Sequence, residues 1–126
     1  MKHDYQPSRM QQMFDIVVGG LLRQNAQSLG RISDICLYRG LHGRKCAVGF
    51  LISDEAYHSS LEGENTTSQS VLKAIEMTFP KLTTSEIGLL YSMQNIHDSC
   101  EPHQWPNQFA SLARRYNLTM PTLVQA

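Results

Sequence analysis

The first hydrophobic pattern along the chain has the period of an amphipathic helix. Its apolar positions recur three and four residues apart, at Met10, Met13, Phe14, Val17, Val18, Leu21 and Leu22. Side chains at this spacing share one face of an α-helix. Pro7-Ser8 is a suitable start for the helix, whereas Gly19-Gly20 weakens it by about 1 kcal/mol per glycine relative to alanine. The glycine pair marks either a close approach by another backbone or a tolerated weakness of the helix.

The pattern then changes to one that predicts a β-hairpin. Residues 35–39 and 45–52 flank Gly40-Leu41-His42-Gly43, which fits a three-residue loop with Gly43 in the left-handed conformation. This register pairs Arg39 with Lys45 and makes Cys36 and Cys46 diagonal neighbours, about 7–8 Å apart. That separation is too long for an unstrained disulfide but short enough for two ligands of one metal ion. Ala47 and Gly49 leave one face of the second strand nearly bare, so another element, such as the helix with Gly19-Gly20, should pack closely there.

Four further helices are predicted from capping residues and apolar spacing. The first begins at Ser53-Asp54 and ends at Gly63, and the next covers residues 64–79. Thr83-x-x-Glu86 is a capping box that opens a helix through Ser99, and Trp105-Pro106 begins the last one. The predicted fold class is therefore a mostly helical α+β domain, with four to five helices packed around one β-hairpin.

Length and composition narrow the class of protein. A chain of 126 residues fits one domain, residues 1–126, with loosely ordered ends at 1–7 and 119–126. A hydrophobic content of 41% argues against disorder. The longest apolar run is far below the roughly 20 residues of a membrane span, and no secretory signal is visible. Three cysteines are an odd number for a disulfide framework, so we expect a reduced, cytoplasmic setting and no membrane association.

Charge is balanced overall but unevenly distributed along the chain. Residues 16–53 contain five Lys and Arg against one Asp, whereas residues 54–101 contain eight Asp and Glu against two Lys. The basic part could supply a small patch for nucleic acid or another anion. Alternatively, the two parts neutralise each other across the fold.

Nucleophilic catalysis is the first candidate chemistry. Cys46, His97 and Asp98 are the residue types of a thiol nucleophile, its base and an orienting acid. Adjacent residues on a helix point about 100° apart, so we expect Asp98 to be poorly placed to orient His97. In the alternative interpretation, Cys46 is a small buried hydrophobic residue.

Zinc binding is the second candidate. Cys36, Cys46 and His97 supply soft and borderline ligands, and Cys100 and His103 add two more near a helix end. Cysteines and histidines of this kind can complete a tetrahedral site, but a chain of this length does not need the ion to fold. We therefore expect no cofactor, with zinc as the alternative.

Ligand binding at the loop between the two predicted strands is the third candidate. Positive charge and open backbone amides there would suit a phosphate, another anion or an acidic protein. The set consists of Tyr38, Arg39, Gly40, Gly43, Arg44 and Lys45. Tyr38 and His42 could also stack on a nucleic-acid base. Alternatively, the glycines serve the turn and the charges are solvated.

The run CLYRGLHGRKCAVGFLISDEAYHSSLEG, from Cys36 to Gly63, is followed by Gln94, His97, Asp98 and Trp105. Together they resemble a family of small uncharacterised bacteriophage and prophage proteins with the run C-x-Y-R-G-x-x-G-x-K-C-A-V-G-x-L-I-x-D-x-x-Y-x-x-x-x-E-G. The resemblance covers roughly Phe14 to Leu118 and carries no established activity. It implies an accessory protein acting in the bacterial cytoplasm. The sequence thus predicts a non-enzymatic protein that binds a host or phage macromolecule or a small anionic ligand. The alternatives are a small cysteine-dependent hydrolase and a zinc-stabilised binding domain, and the oligomeric state stays open.

Overall fold

The computed structural model describes residues 8–29 and 36–122. Within these residues the chain forms four α-helices: α1 Arg9–Gln24, α2 Gln69–Glu76, α3 Thr84–Ser99 and α4 Trp105–Arg115. Short 3₁₀ turns occur at Leu41–Gly43, Val48–Leu51, Ser59–Leu61 and Pro102–Gln104. The ends predicted to be loosely ordered lie partly outside the described residues, which exclude 1–7 and 123–126.

The predicted α+β fold and its β-hairpin are wrong. The described parts of the chain, 8–29 and 36–122, contain no β-strand, only isolated antiparallel bridges at Leu29–Cys36 and Arg39–Lys45. The second bridge is the predicted pairing around the loop, and Gly43 has the expected left-handed backbone, with φ of 72°. The pairing stops there, because the chain after Lys45 turns into the Val48–Leu51 3₁₀ turn.

Side chains occupy the backbone groups that a hairpin would have paired. The two carboxylate oxygens of Glu62 accept hydrogen bonds from the N–H groups of Tyr38 (3.0 Å) and Arg39 (3.1 Å). A carboxylate that caps consecutive amides satisfies these groups without a neighbouring strand. The first half of the predicted hairpin is therefore held by a residue from the following loop.

The second half is held by two glutamines from helices. Gln24 accepts from the N–H of Lys45 at 2.9 Å and donates to its C=O at 2.8 Å, as a neighbouring strand would. The Oε1 atom of Gln94 accepts from the N–H of Val48 at 3.0 Å. These backbone N–H and C=O groups are bonded to side chains, so they are not available for hydrogen bonds between the two predicted strands.

Of the two glycines in α1, Gly20 packs closely against the side chain of Phe50, whereas the side chain nearest to Gly19 is Arg23 of its own helix. Ser8 caps the helix by accepting from the N–H of Gln11, and the buried face packs on the Val48–Leu51 turn. A Cβ atom on Gly20 would lie 2.6 Å from the ring of Phe50. A Cβ atom on Gly49 would collide with the carbonyl oxygen of Tyr38. Gly20 and Gly49 thus let α1 and the Tyr38 backbone lie close to the Val48–Leu51 segment.

The start of α3 is fixed by local and distant contacts. The predicted Thr83–Glu86 capping box is present. Arg9 adds a bidentate ion pair to Glu86, with nitrogen–oxygen distances of 2.9 and 2.7 Å, which joins the first turns of α1 and α3. This ion pair, with help from the Thr83 hydrogen bonds and against the effect of burial, lowers the pKa of Glu86. Both helices consequently begin at one shared anchor.

Two other helix predictions need correction. The segment from Ser53-Asp54 to Gly63 forms turns and the Ser59–Leu61 3₁₀ turn, with no α-helix. The helix predicted over 64–79 is shorter, Gln69–Glu76, with Ser68 as its cap. α4 begins at Trp105 as predicted, and the Trp105 side chain is fully buried.

Among the residues that the structure describes, no helix combines the length and apolarity that a bilayer crossing requires.

Candidate functional site

A pocket of about 340 Å³ lies between α3 and the segments around Cys36, Cys46 and Gly63. Its wall includes Cys36, Tyr38, Cys46, Glu64, Tyr91 and Asp98. We call it the Asp98 pocket. It brings the predicted catalytic and metal-binding residues to one neighbourhood of the fold, so their chemistry can be judged from their hydrogen bonds.

His97, beside this pocket, is fully buried and has both ring nitrogens engaged. Its ring stacks on Trp105, with 5.7 Å between centroids. The Nε2 atom accepts from the backbone N–H of Ser28 at 3.1 Å, and the Nδ1 atom lies 2.8 Å from Oδ1 of Asp98. Since a backbone N–H can only donate, Nε2 carries no proton and Nδ1–H donates to Asp98. No lone pair of the imidazole is left to accept a proton from a thiol.

Asp98 carries the negative charge of the pocket. Its Oδ1 atom accepts from His97 and from Nε2 of Gln94, both at 2.8 Å, and its side chain is 41% exposed. Burial by itself raises the pKa of the Asp98 carboxyl, but hydrogen bonds from His97, Cys36 and Gln94 outweigh it and lower the pKa. The expectation that Asp98 is poorly placed to orient His97 is wrong, because the Asp98 carboxylate lies within hydrogen-bond distance of the neighbouring ring.

The two pocket cysteines are thiols rather than thiolates at neutral pH. Burial raises the pKa of Cys46 to about 12, although hydrogen bonds with the Gly49 backbone and Gln94 act in the opposite direction. Burial also raises the pKa of Cys36 to about 12, and the charge of the hydrogen-bonded Asp98 adds to this effect. A catalytic cysteine reacts as the thiolate. The protonated Cys46 thiol and the fully engaged His97 ring therefore do not form a nucleophile–base pair.

The predicted metal ligands Cys36, Cys46 and His97 are only partly brought together. The group with ligand atoms within 4.8 Å of one another consists of Cys36, His97 and Asp98. A metal on His97 would have to displace either the Ser28 N–H from Nε2 or the proton that Nδ1 donates to Asp98. These donors do not fit a zinc site in their present hydrogen-bond arrangement.

Two residues of the predicted anion site serve the fold instead. Tyr38 is 6% exposed and donates its hydroxyl to the C=O of Glu64 at 2.6 Å. Burial, with nearby negative groups, raises its pKa. The guanidinium of Arg39 donates to the C=O of Ile52 at 3.1 Å, pairs with Asp54 at 2.8 Å and lies 4.5 Å from the centroid of the Tyr57 ring. The hydroxyl of Tyr38 and the terminal guanidinium nitrogen of Arg39 are therefore engaged within the fold, although the Nε atom of Arg39 is buried without a hydrogen-bond partner among the described residues.

The other four residues of the predicted anion site lie at the loop, and Gly40, Gly43 and Lys45 help to hold its conformation. A Cβ atom on Gly40 would collide with Ser28, and the Lys45 amine lies 5.8 Å from the centroid of the Phe50 ring. Gly43 is exposed and provides the turn. Arg44 is exposed, as are its neighbours Leu41 and His42. We call Leu41–Arg44 the tip.

Sequence reasoning named Asp98 and Tyr38 but missed Glu64, Tyr91 and Asn95 on the pocket wall. Tyr91, which is 60% exposed, Asn95 and Asp98 follow each other at spacings of four and three on α3. That spacing places them on one helix face, so it was a usable signal. Glu64 comes from the loop after Gly63, and nothing in its local pattern indicated a pocket.

We compared the chain with protein-family models, with curated proteins and with solved structures, and nothing matches it in any of the three. The resemblance to phage proteins therefore stays a prediction, and the site is interpreted from its own geometry.

Proposed function

We propose that this protein is a non-enzymatic binding protein whose small ligand occupies the Asp98 pocket. The observation that carries the proposal is the half-exposed, ionised carboxylate of Asp98 in a pocket whose thiols are protonated and whose histidine has no free nitrogen. Such a pocket offers recognition without an activated thiol nucleophile, and the lowered pKa of Asp98 makes its carboxylate a weak base.

The dimensions and rigidity of the pocket support this function. A volume of about 340 Å³ is within the range of small-molecule sites, which begins at roughly 300 Å³. Gln94 bridges the Val48 backbone to Asp98, so the carboxylate is held by the same contacts that hold the fold. A prearranged site loses less conformational entropy when a ligand binds.

Fragment screening by amide NMR tests the proposal. Fragments of mixed charge should shift amide signals of pocket residues such as Asn65, Thr66 and Asn95, and Tyr91→Ala should weaken their binding. Cys46→Ser should preserve fragment binding, whereas it would abolish the activity of a thiol enzyme. The absence of any fragment that shifts these signals would refute a binding pocket here.

An anion-binding tip is a second candidate, favoured by its exposure and its rigid frame. The N–H of Gly40 donates to the C=O of Arg44 at 2.8 Å, and Ser28 Oγ donates to the same oxygen at 3.3 Å. His42 is held in the left-handed region, with φ of 61°. Such backbone strain tends to occur at functional sites. In this candidate function the partner is a host or phage macromolecule in a bacterial cytoplasm, as the resemblance implies.

The tip can be tested separately from the pocket. Binding of a single-stranded oligonucleotide and of a polyglutamate peptide should weaken with added salt and with Arg44→Glu. Arg114→Glu, which changes an exposed arginine on α4, is the matched control. Equal loss in both variants would indicate non-specific attraction and would reject the tip as a site.

A further inference from the structure

We infer that the ligand of the Asp98 pocket carries a protonated nitrogen, such as an ammonium or guanidinium group, on a body small enough to lie beside Tyr91. This inference rests on the proposed function and names the class of ligand. It differs from the small anionic ligand that the sequence suggested, since it derives from the charges that line the pocket.

The charge of the pocket wall comes from carboxylates. Asp98 and Glu64 line the pocket, and no Lys or Arg is among the described lining residues. Arg39, which follows the pocket residue Tyr38 in the sequence, is paired with Asp54. A ligand ammonium or guanidinium would form a charge-assisted hydrogen bond with Asp98, whereas a ligand carboxylate or phosphate would meet two like charges.

Asp98 keeps this charge because its partners stabilise it without neutralising it. Its Oδ1 atom accepts from neutral His97 and Gln94, and 41% of its side chain remains open to the pocket and solvent. The fold thus presents an anion that already has its orientation fixed, which is the geometry that a cationic ligand requires.

Aromatic rings supply the second part of the recognition. Tyr38 contributes to the pocket wall, and Tyr91 stands 60% exposed one α3 turn from Asn95. A cation close to the face of a tyrosine ring is attracted by the ring quadrupole, and an apolar or flat body gains contact area there. This combination of a carboxylate and tyrosines favours an organic cation over a bare metal ion.

Three molecules of similar shape and different charge test the inference. The probes are benzylamine, which is protonated at neutral pH, benzyl alcohol, which is neutral, and benzoate, which is an anion. In amide NMR titrations, we expect benzylamine to bind in the pocket at least tenfold more tightly than benzyl alcohol, and benzoate to bind weakest. Added salt should weaken the binding of benzylamine alone.

Two isosteric variants and one control complete the test. Asp98→Asn and Glu64→Gln should each reduce the affinity for benzylamine, Asp98→Asn by about tenfold, without changing the affinity for benzyl alcohol. Glu55→Gln, an exposed residue outside the pocket wall, should change neither. If Asp98→Asn does not fold, Glu64→Gln and the salt dependence still decide the result.

The possible outcomes separate the two proposals. Equal binding of benzylamine and benzyl alcohol, or preferred binding of benzoate, would overturn the cation inference and leave a binding pocket intact. Failure of all three probes, together with failure of the mixed-charge fragments, would refute the proposed function itself.

Discussion

Replacing Glu62 with alanine tests whether one carboxylate takes the role of a neighbouring strand. Glu62 accepts from the N–H groups of Tyr38 at 3.0 Å and Arg39 at 3.1 Å, and from the hydroxyl of Tyr57 at 2.7 Å. The substitution removes the two oxygens that accept these three hydrogen bonds, so two backbone N–H groups and one hydroxyl must bond to water instead. We therefore expect a loss of stability, with little change in the helices.

The size of the loss follows from the number and burial of these hydrogen bonds. A hydrogen bond to a charged group contributes roughly 1.5–3 kcal/mol to stability, and a buried donor left without a partner costs about 1–3 kcal/mol. Glu62, Arg39 and Tyr57 are half-buried, so water replaces part of each bond. The expected decrease in the free energy of unfolding is about 3 kcal/mol, well below the simple sum of three bonds.

Urea unfolding followed by far-UV circular dichroism measures this decrease. With a slope of about 2 kcal/mol per molar urea, the midpoint should fall by about 1.5 M. Glu62→Gln, which keeps one carbonyl oxygen, should lose about half as much. Glu55→Ala, at an exposed neighbouring position, should stay within about 0.5 kcal/mol of the parent chain. A Glu62→Ala loss as small as that of Glu55→Ala would refute the strand-replacing role of the carboxylate.

Gly19→Ala should raise the thermal midpoint by the equivalent of about 0.5–1 kcal/mol, because only the flexible Arg23 side chain lies near its new Cβ. Gly20→Ala should lower the thermal midpoint by the equivalent of about 1–3 kcal/mol, because its Cβ would collide with Phe50. Midpoint shifts of the same sign in the two variants would contradict this packing. Because the pKa of Asp98 is lowered in the folded state, its stabilising effect should be full above the pKa of the unfolded chain, about 3.9, and be lost as pH falls through the folded value. Unfolding free energies measured from pH 6 to pH 2 should therefore depend less on pH in Asp98→Asn, and an identical pH profile would contradict the shift. Alkylation of Cys46 by iodoacetamide at pH 8, followed by peptide mass spectrometry, should be at least about 100-fold slower in the native protein than in guanidinium. Similar rates in the two conditions would disprove its burial.

Features set by neighbouring residues were predictable from the sequence. Ser8 caps α1 through the amide three residues on, and Thr83 and Glu86 cap α3 reciprocally. The left-handed Gly43 and the start of α4 at Trp105 also depend on local backbone preferences. These signals involve partners within a few positions, so the fold around them can change little without breaking them.

The hairpin failed because its competing partners are distant in sequence. The side chain that binds the Lys45 backbone is 21 residues away, and those that bind Tyr38 and Val48 are 24 and 46 residues away. Alternation of apolar and polar residues describes burial, and it does not say whether a strand or a side chain will satisfy the backbone. Gly49, which the sequence placed on a strand face nearly bare of side chains, instead accommodates the Tyr38 carbonyl.

The candidate site was predictable in its residue types but not in their protonation states. Asp98 is hydrogen-bonded to His97 and shares the pocket wall with Cys46. What decides their roles is the N–H of Ser28, which occupies Nε2 of His97, and the burial that keeps Cys46 protonated. Both depend on how residues from different parts of the chain pack together, which local patterns do not encode.

The contacts within the Cys36–Gly63 run determine how any loss of function there should be interpreted. Hydrogen bonds join Glu62 to the backbone of Tyr38 and Arg39, and the Arg39 side chain to nearby backbone. Substituting any of these residues therefore lowers stability whether or not it touches a ligand. The exposed carboxylate of Glu64 and the guanidinium of Arg44 lie at the surface, one at the pocket and one at the tip. A variant of either that keeps its unfolding free energy but loses a partner therefore identifies a binding surface, whereas a loss in Arg39 variants identifies only the scaffold.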